Sequence, residues 1–334
     1  EQQGLYLEAI HHALEAGDYH HASTMLQEIS EVLFAGGKID TLEDFIARIP
    51  TEVLREYPIL LLDQAWQYIL SWDFAEGANM LKSVRQYLEQ IEASEVEESV
   101  MSKEDQQYLK GKLEHREMML YFISDNWQET EARCEAWLAA DYPRDPTLHI
   151  FTSVKVVLEA ARRNRLQLID TQATASALHD LLVENKVYYG NVYHDCLYGI
   201  TLSLQGDLKE AEIRFNDAIS QAIKMQGRLS TLASMPGLLL AELYYQRNRL
   251  DEARIAINEH IENSVRLGVV DQLIAGYITK ARLHAHEADY QGALNTLKDA
   301  DKHVVLFGFD RLRLHIVAER IRLYMLSGED KLAF

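Results

Sequence analysis

The sequence predicts an all-α protein, an α-solenoid superhelix of stacked helix pairs with a period of about 40 residues. Three observations predict it. Short turns recur along the chain, small residues recur at a fixed distance after them, and no alternating Val/Ile/Thr run is bounded by Asn-Gly or Asp-Gly turns. With 5 Pro and 16 Gly in 334 residues, the composition excludes a collagen-like or largely disordered chain.

The turns set the period. Each is a short polar segment followed by the start of a helix, and their middle residues are Asp18, Asp73, Asn126, Arg165, Asp207, Arg249, Asp289 and Glu329. The last five steps between these positions are 39, 42, 42, 40 and 40 residues, which agree to within three. So regular a spacing indicates an internal repeat.

Small residues indicate where the two helices of a pair cross. Four residues after a turn's middle residue come Ala22, Gly77, Ala211, Ala253, Ala293 and Ala333, and on the preceding helices stand Ala65, Gly199, Ala241 and Ala281. Small side chains at a crossing let two antiparallel helices approach closely. Three glycines at the ends of periods, Gly227, Gly268 and Gly308, are expected to be helix C-caps.

These positions resemble the tetratricopeptide repeat, a helix–turn–helix unit. Its signature residues here would be Gly199, Leu202, Ala211, Phe215 and Ala218. The resemblance implies a superhelix with an inner, concave face lined by the first helix of each pair. Because the usual period is about 34 residues, a period near 40 predicts longer helices.

Two stretches interrupt the repeat. Residues 92–105 carry six acidic residues against one Lys, which predicts a solvated loop, with docking of a partner as the alternative. Tyr142 to Pro146 contains two prolines and is expected to break a helix. We therefore expect N-terminal helical repeats over 1–91, an acidic loop over 92–105, and a tetratricopeptide-like superhelix of about six helix pairs over 106–334.

The charge balance excludes several classes of partner. Lys and Arg number 33 against 52 Asp and Glu, a net charge of -19, which disfavours direct binding of nucleic acid or of an anionic membrane. No stretch approaches the roughly 20 apolar residues of a membrane helix. The lone Cys134 and Cys196 fit a reducing, cytoplasmic location. Because the chain does not begin with Met, we expect a segment of a longer polypeptide.

The segment from Gly37 to Gln90 has a more particular pattern. A Pro closes a short helix, a second Pro precedes several leucines, and an Ala-Trp pair follows; the residues concerned are Pro50, Pro58, Leu60, Leu61, Leu62, Ala65 and Trp66. This pattern is similar to the start of the sensor domain of MalT-like, large ATP-binding LuxR-type transcription regulators. From there to the C-terminus the likeness consists of the period and the helix-pair pattern.

The resemblance implies a function. Such a segment would bind a small-molecule inducer and control ATP-dependent self-association and transcription activation through modules outside this chain. ATP is expected only in a flanking module, and no cofactor in this segment, which contains no GxxxxGK[ST] motif. Expected partners are the inducer and either a second copy or a regulatory protein. The alternatives are a tetratricopeptide protein-interaction scaffold and a peptide-pheromone receptor.

Catalytic and metal-binding patterns are weak. No HExxH or GxSxG motif occurs, and the histidine pairs at 11–12 and 20–21 lack a Cys or carboxylate at fixed spacing that would complete a metal site. Asp63, Asp195 and Glu242 fall on different predicted helices, which disfavours a carboxylate pair for acid–base catalysis. The sequence thus predicts no enzyme, no catalytic residue and no metal site.

Binding residues are expected on the inward side of the first helices. Trp66, His115, Met119, Lys155 and Cys196 hold such positions, and the candidate ligand-binding residues are Tyr188, Tyr189, Tyr193, Glu242, Tyr245, Arg282 and Arg322. Aromatic faces beside Glu and Arg suit stacking and hydrogen bonding to a polar small molecule. The alternatives are that Tyr188 and Tyr189 pack between repeats and that Glu242 pairs with Arg282.

Overall fold

The computed structural model describes residues 2–93, 101–165, 171–227, 230–264 and 268–329. These residues form α-helices and one 3₁₀ helix, Thr231–Ala233, with no β-strand among them. The α-helices are α1 Gln2–Glu15, α2 Tyr19–Ala35, α3 Ile39–Ala47, α4 Thr51–Leu54, α5 Pro58–Leu70, α6 Phe74–Ala93, α7 Lys103–Ile123, α8 Trp127–Ala139, α9 His149–Asn164, α10 Thr171–Glu184, α11 Tyr188–Gln205, α12 Leu208–Gln226, α13 Ser234–Gln246, α14 Leu250–His260, α15 Val270–His286, α16 Tyr290–Phe307 and α17 Asp310–Ser327. The all-α prediction is confirmed.

The chain forms two compact units. Unit 1 comprises Glu1–Tyr121 and Trp127–Asn191, and unit 2 comprises Phe122–Asn126 and Val192–Phe334. The three-part division expected from the sequence stays a prediction. Residues 94–100 of the expected acidic loop lie outside the described residues, while α6 runs to Ala93 and α7 begins at Lys103. No helix in the described ranges is both long and apolar enough to cross a bilayer.

A common turn geometry joins the two helices of a pair. One residue with positive φ ends the first helix: Gly17 (74°), Trp72 (63°), Asp125 (69°), Gly206 (87°), Asn248 (59°) and Ala288 (60°). In four turns the next residue, an Asp, caps the second helix by accepting a hydrogen bond from the backbone N–H three residues on: Asp18, Asp73, Asp207 and Asp289. This left-handed residue followed by an N-cap is the local reason for the repeated sequence pattern.

The small residues lie at helix crossings, as predicted. Ala211, Ala253 and Ala293 are fully buried. A Cβ at Gly199 would overlap the ring of Phe215, so only glycine lets α11 and α12 approach this closely. Ala333 lies outside the described residues.

The glycine C-caps are predicted correctly at two of three positions. Gly227 (φ 83°) and Gly308 (φ 76°) follow the last residues of α12 and α16. Gly268 is not a C-cap, because α14 has only 11 residues and ends at His260. Gly268 (φ 142°) instead lies just before α15, where the Gln272 side chain occupies the space a Cβ would need. The predicted break at the two prolines is confirmed, since it falls between α8 and α9.

Candidate functional site

The predicted ligand-binding residues are divided between the two units. Tyr188 and Tyr189 belong to unit 1, and the other five belong to unit 2. Tyr188 is exposed, but Tyr189 is only 3% exposed, with its ring 6.5 Å from that of His149. The position of Tyr189 therefore agrees with the alternative that it packs within the fold.

The two predicted tyrosines of unit 2 are also partly in the core. Tyr193 is buried. Tyr245 is half-buried and packs against an apolar cluster of α13, α14 and α15 that includes Leu238, Ile257 and Leu283. Burial thus leaves Tyr193 little surface for a ligand and Tyr245 only part of its ring.

Two predicted arginines meet on one carboxylate in unit 2. Arg282 of α15 donates from Nε to Glu319 Oε2 of α17 at 3.0 Å, and Arg322 donates from Nε to Glu319 Oε1 at 2.7 Å. A second donor of Arg322, Nη2, also bonds Oε1. The Glu319 side chain is 3% exposed, whereas Arg282 and Arg322 are 34% and 39% exposed. A buried anion thus holds two half-exposed cations in place.

Glu242 lies on the adjacent helix α13, and α13 packs directly against α15. Burial raises the pKa of Glu242, Arg282 offsets this only in part, and Asp271 raises the pKa further. Among the described residues no ion pair includes Glu242, because the hydrogen bond of Arg282 goes to Glu319. The alternative that Glu242 pairs with Arg282 is therefore not seen as a direct ion pair, although Arg282 lowers the pKa of Glu242 from nearby. Glu242 is a carboxylate whose charge is poorly compensated.

A second arginine network adjoins these residues. Arg311 of α17 bonds both oxygens of Asp125 from Nε at 3.1 Å, and it bonds both oxygens of Asp271, the shorter distance being 2.7 Å. Burial, Arg311 and Arg282 together lower the pKa of His315. We call Glu242, Asp271, Arg282, Arg311, His315, Glu319 and Arg322 the unit 2 charged face.

The charged face offers hydrogen-bonding groups of both signs. Arg282 uses only Nε in its bond to Glu319, and Arg322 uses Nε and Nη2. The remaining guanidinium N–H groups of both side chains are donors for a carboxylate or a carbonyl. Glu242 is an acceptor for an ammonium or a guanidinium. Such a face suits a polar ligand that carries both kinds of group.

Unit 1 contains a charge cluster that the sequence analysis missed. Lys112 Nζ of α7 lies 2.7 Å from Glu31 Oε1 of α2 and 2.7 Å from Asp63 Oδ1 of α5. One turn on, Arg116 Nη2 lies 3.4 and 3.3 Å from the same two oxygens. No side chain of the four is more than 7% exposed. We call Glu31, Asp63, Lys112 and Arg116 the unit 1 buried cluster.

The surroundings of this cluster are aromatic and dry. The Arg116 guanidinium lies 5.2 Å from the ring centroid of Phe34 and 5.4 Å from that of Trp66. Burial raises the pKa of Glu31, but Lys112 and Arg116 outweigh it and lower this pKa to about 2. The two cations thus favour the ionised form of Glu31 inside the fold.

His115, one of the inward positions, is a fully buried neighbour of the cluster. Burial, followed by Arg116, holds the pKa of His115 well below its ordinary 6.5. Arg116 Nη1 lies 2.9 Å from His115 Nδ1, and His115 Nε2 lies 2.9 Å from Ser153 Oγ. Because Arg116 can only donate, Nδ1 accepts and Nε2 carries the proton. His115 is thus a neutral bridge rather than a ligand group.

A sequence signal for the cluster did exist. Lys112 and Arg116 stand one helical turn apart, on a stretch of α7 whose Leu109 and Leu113 are buried. Cations on an apolar helix face require buried partners. The sequence does not say which carboxylates those partners are, because Glu31 and Asp63 come from two different, distant helices.

Comparison with known proteins gives distant relatives. No family model matches the sequence. The serine/threonine-protein kinase PknK of Mycobacterium tuberculosis and that of Mycobacterium bovis are each 27% identical to this chain over 328 residues. The match covers 96% of this chain and 28% of the kinase. The chain thus spans less than a third of the curated relatives that it matches.

One solved structure supports the fold. The crystal structure of a Rap protein complexed with competence and sporulation factor matches with a TM-score of 0.54 and 12% identity, covering 100% of this chain and 99% of that one. This likeness confirms the predicted fold class, a tetratricopeptide-like helical repeat.

Proposed function

We propose that this chain is a ligand-sensing segment of a larger signalling protein and that it binds its effector on the unit 2 charged face. One observation carries the proposal: the buried Glu319 carboxylate positions both Arg282 and Arg322, which stay partly exposed and keep further N–H groups. Side chains held in place before binding lose less conformational entropy when a ligand arrives. The segment itself contributes no catalytic group.

The relatives support this role without specifying it. The matched kinase is more than three times the length of the shared region, and the Rap protein of similar fold was crystallised with a bound factor. Both are consistent with a repeat segment that recognises a signal. More specifically, we propose that the chain is the sensor segment of a MalT-like transcription activator in the cytoplasm. Inducer binding to this segment would control ATP-dependent self-association through modules outside this chain.

A second candidate is a peptide receptor or interaction scaffold. The spread of the charged face favours it, because Glu242, Arg282 and Arg322 stand on the alternate helices α13, α15 and α17, each packed against the next of the three. Neighbouring packed helices lie about 8–10 Å apart, so the face spans about 20 Å. An extended peptide of about six residues covers that distance, at about 3.3 Å per residue. A small sugar or acid would contact only two of the helices.

Ligand binding can shift the chain from one conformation to another only if the ligand has a higher affinity for one of the two. A ligand that bridges α13, α15 and α17 favours the arrangement of helix pairs in which all three contacts form. To move a two-state equilibrium from 1:99 to 99:1, it must prefer one state by about 5.5 kcal/mol. A few charge-assisted hydrogen bonds, at about 1.5–3 kcal/mol each, supply this.

Thermal unfolding with a ligand panel tests the proposal. The panel contains sugars, organic acids, aromatic acids and short peptides of either charge. At 100 times Kd, binding to the native state adds about 2.7 kcal/mol, a clear increase in Tm. The double variant Arg282→Gln/Arg322→Gln should lose the increase. Arg254→Gln, which removes an exposed arginine on α14 paired with Glu287, should retain it.

The class of active ligand separates the two candidates. An increase from one class of small molecule supports the inducer sensor, and an increase from peptides alone supports the receptor. If no class raises Tm, or if the double variant responds like the unsubstituted protein, the charged face is not the binding site.

A further inference from the structure

Unit 1 contains an open cavity that the proposed function does not use. Its volume is about 480 Å³, and its walls come from α6, α7 and α8. The apolar part of the lining is Ala78, Leu81 and Leu120. The polar part is Lys82, Arg85, Glu114, Glu117, Tyr121 and Arg133. A concave site with an apolar floor and a few convergent polar groups is typical of small-molecule binding.

The two glutamates of the cavity have their acceptors occupied. Glu117 accepts from Arg85 Nε at Oε1 (2.9 Å) and from Arg85 Nη2 at Oε2 (2.6 Å). Glu117 Oε2 also accepts from Arg133 Nη1 at 3.2 Å. Glu114 Oε1 accepts from Arg85 Nη2 at 2.9 Å, and its Oε2 lies 3.6 Å from Arg133 Nη1. All four carboxylate oxygens thus face a guanidinium.

The uncommitted groups of the cavity are donors. Arg85 Nη1, Arg133 Nη2 and Lys82 Nζ take no part in these contacts. The Arg133 guanidinium lies 4.7 Å from the ring centroid of Tyr121, which fixes its plane, and its Nε is held by Glu129 at 3.2 Å. Three cations and two anions line the cavity, and a third carboxylate, Glu129, bonds Arg133 from beside it. Because these carboxylates already face guanidinium groups, the remaining donors of the cavity suit an added acceptor with negative charge.

We propose that this cavity binds a small organic anion, with its carboxylate or phosphate held by Lys82, Arg85 and Arg133 and its apolar body against Leu81 and Leu120. Planar guanidinium groups match such oxygen acceptors in geometry and charge. The chain's net charge of -19 opposes an anion only at long range, because salt screens charges more than about 8 Å apart. All the groups involved belong to unit 1, so the proposal does not depend on the unit 2 charged face.

Calorimetric titration tests the site with two probes, benzoate and inorganic phosphate. Benzoate carries both the anionic head and an apolar body, so it should bind more tightly than phosphate. Lys82→Gln removes an exposed donor outside the ion-pair network and should weaken benzoate binding by about tenfold or more, the loss of one charge-assisted hydrogen bond. Glu114→Gln removes a competing anion and should strengthen binding. Lys298→Gln, an exposed mid-helix lysine of α16, is the matched control and should leave affinity unchanged.

The opposite signs of the two substitutions distinguish a binding site from a purely structural network. Loss of a structural charge would not tighten binding of an added anion. The proposal is overturned if benzoate gives no saturable heat at about 10 mM, ten times a Kd of about 1 mM. It is equally overturned if phosphate binds more tightly than benzoate, or if Lys82→Gln and Glu114→Gln bind like Lys298→Gln. Far-UV circular dichroism of each variant verifies that the helices are retained.

Discussion

Glu31 in unit 1 and Glu242 in unit 2 are both withdrawn from water, yet their pKa values move in opposite directions. Burial raises both, but two cations in contact with Glu31 reverse the effect and lower its pKa to about 2. At Glu242 the nearby Arg282 only moderates the rise, because its hydrogen bond goes to Glu319. The carboxylate of Glu31 is thus compensated inside unit 1, whereas the carboxylate of Glu242 is only partly compensated inside unit 2.

The two regions show that residue type does not decide the role of a charge. Lys112 and Arg282 both hold positions on first helices of the repeat and both contact carboxylates. Lys112 is fully buried and Arg282 is about one-third exposed. Breaking a buried ion pair costs far more than breaking an exposed one. Stability measurements can therefore separate the unit 1 buried cluster from Arg282, the cation proposed to contact a ligand.

The largest expected effect is in the unit 1 buried cluster. Asp63→Asn leaves Lys112 and Arg116 with Glu31 as their one remaining anion, so the free energy of unfolding should fall by about 3–5 kcal/mol. Urea unfolding followed by circular dichroism measures this. Asp44→Asn, an exposed aspartate on α3, should change it by less than about 0.5 kcal/mol. Similar losses in both variants would contradict the buried cluster as a source of stability.

The next effect is the acid dependence that Glu31 confers. Its pKa in the folded protein is about 2 against an ordinary 4.5, so its contribution is present above pH 4.5 and is lost as the pH falls toward 2. That difference corresponds to about 3 kcal/mol. Urea midpoints between pH 6 and pH 3 should therefore decline less in Glu31→Gln than in the unsubstituted protein. Parallel declines would show that Glu31 is not the titrating group.

A smaller loss in the free energy of unfolding is expected when Arg311 is replaced. Arg311→Met leaves the mostly buried Asp125 and Asp271 without their shared guanidinium, which should cost about 2 kcal/mol. The control is Arg313→Met on the same helix, where an exposed arginine pairs only with the exposed Asp310. This control should cost less than about 0.5 kcal/mol. If the two variants unfold at the same urea concentration, the Arg311 bridge does not stabilise unit 2.

The smallest expected effect, at Glu242, is an increase in the free energy of unfolding. Since the pKa of Glu242 is raised in the folded state, its ionised form is less favourable there than in the unfolded chain. Glu242→Gln should therefore increase the free energy of unfolding at neutral pH, by less than about 1 kcal/mol. The gain should disappear in acid, where Glu242 is protonated. A loss of stability at neutral pH would mean that Glu242 has an ionic partner in the fold.

Much of the fold was predictable because the repeat depends on local sequence. A left-handed turn residue, an Asp cap and a small residue four positions on are separated by fixed short distances, as in Gly206, Asp207 and Ala211. Gly268 was misassigned because its spacing matches the period while α14 ends early, at His260. The period predicts where a glycine recurs, but it does not predict where the preceding helix ends.

The sites were less predictable because they depend on contacts between distant helices. The sequence predicts Arg282 and Arg322 as inward-facing residues, but Glu319, which joins them in the structure, follows no motif. Glu31 and Asp63 are 81 and 49 residues from Lys112, and no motif in the sequence links either position to Lys112. Only the packing of α2, α5 and α7 brings them together.

The most direct test of the account is one matched comparison, the urea unfolding of Lys112→Met and Arg282→Met. Both remove one cation and retain an unbranched side chain. We predict that Lys112→Met loses at least about 3 kcal/mol, because Glu31 and Asp63 stay buried with one partner fewer. Arg282→Met should lose less than about 1 kcal/mol, since Arg322 still neutralises Glu319. Equal losses, or a larger loss in Arg282→Met, would contradict the assignment of the unit 1 buried cluster to stability and of Arg282 to ligand binding.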